Sequence, residues 1–312
     1  MKVEQELPLT QDKDTIVAIG VFDGVHIGHR SLIRHLTEIA SKNSMLSSVV
    51  TFLNHPRTVI NPEFEVKYIT GPLERIQRLK EAGVDTVIPI TFDKELSELR
   101  ASEFVDLLQK RLNMKGMVMG QNFAMGHRRE GNFEMLKKLG IEKGFSVTVI
   151  EPTLENGEEV SSTLIRKSIA EGNLRKASTL LTKPFSIRGK VVQGDSIGRH
   201  MGYPTANIDV QSNLLIPPDG IYATLVAVNN QEYFAASYLG TKPTFGGDKH
   251  VIEAFLIAFD GNLYGSDIDI KFIEKLRGDQ FFNTKDELAE QIRIDVECTL
   301  NVLKMYTHGE SI

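Results

Sequence analysis

The sequence predicts an α/β domain with a parallel sheet, followed by a compact antiparallel β-barrel that ends in a long helix. Three observations predict this. Up to Thr182, short apolar runs alternate with segments of helical spacing, the pattern of a parallel sheet with helices on both faces. Beyond Pro184, strand-like runs are joined by stretches rich in Gly, Pro, Asn and Asp, as in a small barrel. The length of 312 residues suits two domains, at roughly 100–200 residues each. The change of pattern divides the chain into 1–183 and 184–312.

The elements follow in order. Thr15-Ile16-Val17-Ala18-Ile19-Gly20 is an apolar run, as expected of a strand buried on both faces. Arg30 to Lys42 places Leu32, Ile33, Leu36, Ile39 and Ala40 at helical spacing. Met45 to Phe52 is a second strand. Pro72 to Ala82 is a helix with Pro near its start and Gly83 at its end. Val84 to Thr91 is a third strand, and Ser102 is placed to cap a helix over Glu103 to Leu112. Met117 to Met119, the helix Phe133 to Lys143 and the strand Phe145 to Ile150 complete the domain. In the second domain, strands are expected at Phe185–Val192, Gly220–Val228, Glu232–Tyr238, Val251–Phe259 and Ile268–Ile273. Lys285 to Met305 is an amphipathic helix, with Thr284 and Glu287 as its capping box.

Composition narrows the class. Hydrophobic content of 41% and charged content of 25% are ordinary for a globular protein. A net charge of −5 carries no polyanion-binding signature, so no nucleic-acid partner is expected. A local basic cluster stands at His127-Arg128-Arg129. The single cysteine, Cys298, excludes an intramolecular disulfide and fits a reducing compartment. Its apolar helical surroundings read as a packed thiol. Met1 to Gln11 has no apolar signal region. No run approaches the roughly 18 apolar residues of a membrane span. A cytoplasmic protein without a membrane partner is expected. The sequence specifies no oligomeric state.

Two stretches carry chemistry. The first is Gly20-Val21-Phe22-Asp23-Gly24-Val25-His26-Ile27-Gly28-His29, between the first strand and the first helix. Ligands of open α/β sheets bind at the carboxyl ends of strands, where a helix N-terminus offers free N–H groups to phosphate. Gly24 and Gly28 leave room for a triphosphate. His26 and His29, three apart, can face one side and donate hydrogen bonds to phosphate oxygens whose charge grows during attack. His-Ile-Gly-His is also a signature of class I aminoacyl-tRNA synthetases, but no Lys-Met-Ser-Lys-Ser-like loop accompanies it here. Instead Ser161-Ser162-Thr163-Leu164-Ile165-Arg166 follows the fifth strand. Its hydroxyls can cap a helix and bind phosphate oxygens, and Arg166 can clamp them. The pair of motifs reads as a nucleotidyltransferase.

The second stretch is Gly189 to Asn207, with glycines at 189, 194, 198 and 202, Arg199, and Pro204-Thr205-Ala206-Asn207. The glycines suit a flap over phosphates. Thr205 and Asn207, two apart in an extended segment, face the same way. Their hydroxyl and amide oxygens are hard ligands suited to Mg²⁺, which takes few protein ligands plus nucleotide phosphates. The chain has no Gly-x-x-x-x-Gly-Lys-[Ser/Thr], so it is not a P-loop kinase.

Over nearly the whole chain these motifs resemble the bifunctional prokaryotic riboflavin kinase/FAD synthetase (FMN adenylyltransferase) family. The resemblance rests on Gly20 to His29, Thr51-Phe52 with His55-Pro56, Gly120 to His127, Ser161 to Arg166, Gly189 to Asn207, Pro218 to Tyr222, Pro243-Thr244-Phe245, Glu253 and Leu263-Tyr264-Gly265. It implies a Rossmann-like nucleotidyltransferase domain and a barrel riboflavin kinase domain. It implies ATP as co-substrate, Mg²⁺, and riboflavin, FMN and FAD as substrates and products. His26, His29, Asn122, Ser162, Thr163 and Arg166 would serve adenylyl transfer, with Gly20, Phe22, Gly24 and Gly28 shaping the nucleotide site. Thr205 and Asn207 would hold Mg-ATP, Gly194 and Arg199 would belong to the flap, and Glu253 would be the kinase base. A carboxylate on a strand among Phe255, Ile257 and Phe259 is poorly solvated, which suits a base. The chain departs from the family pattern at Asn54, Met125, Tyr238, Phe255 and Asp279. Rival expectations are a chain with one live activity whose other domain is a flavin- or ATP-binding scaffold, a non-catalytic flavin sensor, and a nucleotidyltransferase for another substrate.

Overall fold

The computed structural model describes residues 2–8, 13–194, 202–229, 231–244 and 247–309. The chain divides into two compact units, Met1–Ser162 and Thr163–Ile312.

The first unit runs α1 (Lys2–Glu6), β1 (Thr15–Gly20), α2 (Ile27–Lys42), β2 (Leu46–Phe52), α3 (Pro56–Ile60), α4 (Pro72–Glu81), β3 (Thr86–Ile90), α5 (Lys94–Glu98), α6 (Ala101–Leu112), β4 (Met114–Gly120), α7 (Phe133–Lys143) and β5 (Ser146–Ile150). A short hairpin, β6 (Leu154–Glu155) and β7 (Glu158–Glu159), follows. The five main strands are parallel, in the order β3-β2-β1-β4-β5. The central strand shows why. Val17 and Ile19 pack into one core with Phe104, Leu108 and Leu136, while Ile16 and Ala18 pack into the other with Ile33, Leu36 and Leu79. Successive side chains point to opposite faces, so an unbroken apolar run needs a helical layer on each side. The order reverses at β1/β4, the switch point where open α/β sheets bind ligands.

Three local expectations change. The helix expected from Glu103 begins at Ala101, which places Ser102 inside it. Its N-terminus is satisfied by carboxylates: Glu103 accepts the Arg100 N–H at 2.8 Å and Glu130 accepts the Ala101 N–H at 3.0 Å. The short helices α1, α3 and α5 were not anticipated from spacing, and α1 is held by Val3, buried with Leu7 in the core. Cys298 is exposed.

The second unit runs α8 (Ser162–Ala170, whose first residue belongs to the first unit), α9 (Leu174–Leu181), β8 (Phe185–Val192), β9 (Ala206–Asp209), β10 (Gly220–Val228), β11 (Gln231–Thr244), β12 (Gly247–Leu256), β13 (Asp267–Arg277) and α10 (Lys285–Thr307). Six antiparallel strands close a barrel in the order β10-β11-β12-β9-β8-β13. Alternation sets its inside. In β12, Ile252, Ala254 and Leu256 are buried, and Glu253 and Phe255 face the other way. The strand stops at Leu256 and Ala258 takes a φ of 59°. Ile257 and Phe259 therefore do not continue the face of Glu253, as the sequence had suggested.

Helix α10 starts at Thr284, whose hydroxyl accepts the Glu287 N–H at 3.2 Å. Its buried positions are Asp295, Thr299 and Leu303, four apart. Cys298 lies off that stripe, which explains its exposure. Asp295 receives a bidentate ion pair from Arg277 at 2.9 and 2.7 Å, fastening α10 to the end of β13. Among the described residues, no helix is long and apolar enough to cross a membrane.

Candidate active sites

At the carboxyl end of β1 the chain turns sharply before α2. Phe22, Gly24 and Val25 have φ of 53°, 82° and 46°. Glycine enters that region freely, whereas a β-branched residue there is a true outlier costing about 1–3 kcal/mol. A buried side chain holds the turn. Asp23 is 1% exposed. Its carboxylate accepts the Ile69 N–H at 3.1 Å, the Thr70 N–H at 3.0 Å and the Thr70 hydroxyl at 3.3 Å. The same hydroxyl accepts the Gly24 N–H at 3.1 Å. Arg78 donates to the Gly24 carbonyl at 3.4 Å, and Ser162 donates to the Asp23 carbonyl at 3.0 Å. Arg75 lies buried beneath and donates to the Phe52 carbonyl. Burial pushes its guanidinium pKa down, and the charges of Asp23 and Tyr68 oppose that shift.

On this turn stand the two histidines. His26 caps α2, its Nδ1 accepting the His29 N–H at 3.4 Å. With Nδ1 accepting, a neutral ring carries its proton on Nε2 as a donor. The two rings stack with centroids 3.6 Å apart and planes at 22°, and Phe22 meets His29 edge-on at 5.1 Å. Gly28 permits the stack, since a Cβ there would lie 3.2 Å from the His26 ring.

A cavity of ≈ 250 Å³ opens beside them, lined by His26, Gly28, His29, Gly120 to Phe123, Ile150 to Thr153 and Glu159 to Ser162. It sits at the carboxyl ends of β1, β4 and β5. Of the residues singled out in the sequence, it brings together His26, Gly28, His29, Asn122 and Ser162. Gly20, Phe22 and Gly24 support the turn instead of lining the cavity: Phe22 packs over Gly20, and Gly24 is buried. Thr163 and Arg166 lie on α8, past the division between the units. Within the basic cluster, Arg129 donates to the Asn122 carbonyl at 3.0 Å.

The second unit holds two cavities on either side of Thr205. One, of ≈ 460 Å³, is lined by Val191, Pro204, Thr205, Ala206, Leu256 and the segment Phe259 to Tyr264. The other, of ≈ 320 Å³, lies between the outer face of β10–β12 and α10, with Tyr238, Glu253, Phe255, Arg277, Phe282 and Ile292 among its walls. At their junction the Thr205 hydroxyl donates to Glu253 Oε2 at 3.1 Å. Asn207 is the cross-strand partner of Glu253. Its amide lies over Gly194, where a Cβ would fall 2.1 Å from Nδ2. Thr205 and Asn207, two apart, thus face the same side next to Glu253, and their hydroxyl and amide oxygens are of the kind that fits Mg²⁺ sharing its shell with phosphates. Arg199 and Gly198 lie outside the described residues, as does Phe245 of the Pro243-Thr244-Phe245 motif.

Sequence reasoning did not single out Asp23 or Thr70 as structural anchors, nor the Arg277–Asp295 pair. Asp23 sits inside the histidine motif, but Thr70 carries no local signal and meets it only through the fold.

Fold and sites define a nucleotidyltransferase-type α/β unit joined to a six-stranded barrel with adjoining cavities. The family described as FAD synthetase matches residues 9–164, and that described as Riboflavin kinase matches 181–303. A bifunctional riboflavin kinase/FMN adenylyltransferase of Buchnera aphidicola subsp. Acyrthosiphon pisum is 36% identical, over 91% of this chain and 92% of its own. The Escherichia coli K12 protein of the same description is 36% identical over 90% of each chain. A crystal structure described as a macrolide-efflux protein from Streptococcus pneumoniae is 31% identical, with a TM-score of 0.89 over 96% of this chain and 98% of that one. This chain belongs to the bifunctional riboflavin kinase/FMN adenylyltransferase family.

The clamp on the turn can be tested by stability alone. Asp23→Ala leaves the donors of Ile69 and Thr70 buried without their acceptor, at about 1–3 kcal/mol or more. Denaturant unfolding should show a loss of that size, and an unchanged midpoint would show that Asp23 does not anchor the turn.

Proposed function

We infer that this chain converts riboflavin to FMN in the barrel unit and FMN to FAD in the α/β unit, with ATP as co-substrate of both steps. The single observation that carries the assignment is the Thr205–Glu253 hydrogen bond at the junction of two cavities. One cavity suits a nucleotide and the other a flavin, and the transferred group would cross at Thr205.

For the kinase step, Glu253 is the base. A primary alcohol is a weak acid, and a carboxylate within hydrogen-bond reach is the usual means of removing its proton. The ribityl hydroxyl loses its proton to Glu253 as its oxygen bonds to the γ-phosphorus of ATP and ADP departs. Thr205 gives its hydroxyl hydrogen to Glu253, which orients its lone pairs elsewhere, and Asn207 supplies a second oxygen beside it. Those two residues would hold Mg²⁺, which when bound neutralises charge on the phosphates. Gly194 keeps room for the Asn207 amide.

For the adenylyl step, the FMN phosphate is already anionic, so no strong base is needed and positioning carries the reaction. Its oxygen attacks the α-phosphorus of ATP and pyrophosphate departs. His26 and His29 donate to oxygens that gain charge, at a helix N-terminus that favours anions. Asn122 and Ser162 line the same cavity, whereas phosphate-binding roles for Thr163 and Arg166 rest on the family resemblance alone. A cytoplasmic setting supplies ATP and needs no disulfide.

His26→Ala and His29→Ala should each lower FMN-to-FAD turnover by roughly 10²–10³ while riboflavin phosphorylation stays near the parent. Equal loss of both activities in a folded variant would sink the two-site assignment. Glu253→Gln keeps size and removes the base. Steady-state kinetics should show kinase turnover down by roughly 10²–10⁴ and adenylylation of supplied FMN untouched; a variant within a few-fold of the parent removes Glu253 from the mechanism. The activities should also divide at the proposed boundary. Fragment 184–312 retains all six barrel strands and α10 and should make FMN and no FAD. Because Leu174, Ala177, Leu180 and Leu181 of α9 pack in the second unit, a fragment from Thr163 is the control for lost cover. If both fragments fold and neither phosphorylates riboflavin, the assignment of the kinase to the barrel is wrong.

A further inference from the structure

We propose that Tyr238 is the floor on which the flavin ring stacks in the barrel cavity, and that it sets the affinity of the kinase site for riboflavin. This rests on the reading that the cavity under α10 holds that ring. Tyr238 pairs across the sheet with Glu253 on β12 and with Ile221 on β10, and all three line the cavity. Gly240 comes two residues later on the same face of β11. A Cβ on Gly240 would fall 2.0 Å from the Tyr238 hydroxyl oxygen and 2.3 Å from Cζ. The phenol therefore fills the space that any side chain at 240 would take. Its ring runs along the strand instead of standing off the sheet, so it paves the cavity and does not divide it.

That posture suits one kind of ligand. A flat fused heteroaromatic ring stacks in offset fashion on an aromatic face, with gain beyond the area it buries. The remaining walls add apolar and aromatic side chains. Phe255 stands at the side, itself braced edge-on by Tyr203 at 5.3 Å, and Ile292 faces from α10. Because Tyr238 and Glu253 are direct cross-strand neighbours, a ring lying on the one has its substituent chain beside the other. A simple aliphatic alcohol would use little of this aromatic surface. Tyr238 is thus a residue that binds and positions substrate, with the proton chemistry left to Glu253.

Flavin emission gives a direct readout. A phenol in contact with an excited isoalloxazine passes it an electron and takes it back, which quenches fluorescence; a phenyl ring is a much poorer donor. Riboflavin bound to the parent chain should be strongly quenched. Tyr238→Phe keeps the stack, so equilibrium dialysis should give a Kd within a few-fold of the parent while the emission of bound riboflavin recovers. Tyr238→Leu removes the platform and should raise Kd and KM for riboflavin roughly 10-fold or more, with kcat within about three-fold and adenylylation of FMN unchanged. A Phe variant as quenched as the parent, or a Leu variant with parental Kd, overturns the proposal. Ile292→Trp, or Val296→Trp where the first lowers the melting temperature, fills the cavity from the helix side. Parental riboflavin binding in such a folded variant would refute the cavity reading itself. Lost binding there, with Tyr238 variants at parental affinity and quench, refutes only the role of Tyr238.

Discussion

The Asp23 carboxylate is sealed from water, and the order of the first site follows from how it is satisfied. A buried carboxylate must be met by donors or it destabilises the fold. Here the donors come from Ile69 and Thr70, just ahead of α4, so the turn after β1 and the approach to α4 are locked together. That lock is what holds Val25 in a backbone region it would otherwise leave. With the turn fixed, His26 falls at the N-cap of α2, and His29, one turn on, stacks against it. The strain at Val25 and the placement of the imidazoles are therefore one feature: the stored cost is local, and its support is 46 residues away in sequence.

The barrel reaches the same end by register. Ile252, Ala254 and Leu256 point into its interior, and this fixes Glu253 on the outer face beside the cavity. A slip of one residue would turn the carboxylate inward and the aliphatic side chains out, so the apolar core protects the alignment of the site. Pairing with β9 then sets Asn207 opposite Glu253, and Thr205 follows at hydrogen-bond distance. Two glycines finish the arrangement by ceding space, Gly194 to the Asn207 amide and Gly240 to the Tyr238 phenol.

What the sequence made legible was whatever has a local pattern. Apolar runs and helical spacing located the five parallel strands, and several elements, such as Phe133–Lys143 and Phe185–Val192, to the residue. The shift at Pro184 announced the barrel. The histidine motif and the Thr-x-Asn pair were readable because their spacing implies a shared face. What stayed hidden depends on distant contacts. Ser102 had the right chemistry for a cap, but carboxylates from Glu103 and Glu130 satisfied the helix two residues earlier. Alternation suggested that Phe259 would share a face with Glu253, and a positive φ at Ala258 ended the strand first. Nothing local marks Thr70 as a partner of Asp23, or tells that the ring of Tyr238 lies along its strand. The departures from the family pattern gain meaning only in three dimensions. Asn54 bonds both the N–H and the carbonyl of Phe92 at 2.9 and 2.8 Å, extending the link between β2 and β3. Met125 is buried in the core, whereas Tyr238, Phe255 and Asp279 all line one cavity.

On the proposed function the two sites differ because their nucleophiles differ. A neutral hydroxyl must lose a proton, so the barrel presents a carboxylate. A phosphate needs none removed, so the α/β unit presents donors at a helix N-terminus. The order of the two reactions follows from the same difference. The donors and helix N-terminus of the first site favour a phosphate, which riboflavin lacks and the barrel installs. Glu253, which takes the ribityl proton, and Thr205 and Asn207, which would hold Mg²⁺, serve only the step that creates it, so neither site is equipped for the reaction of the other.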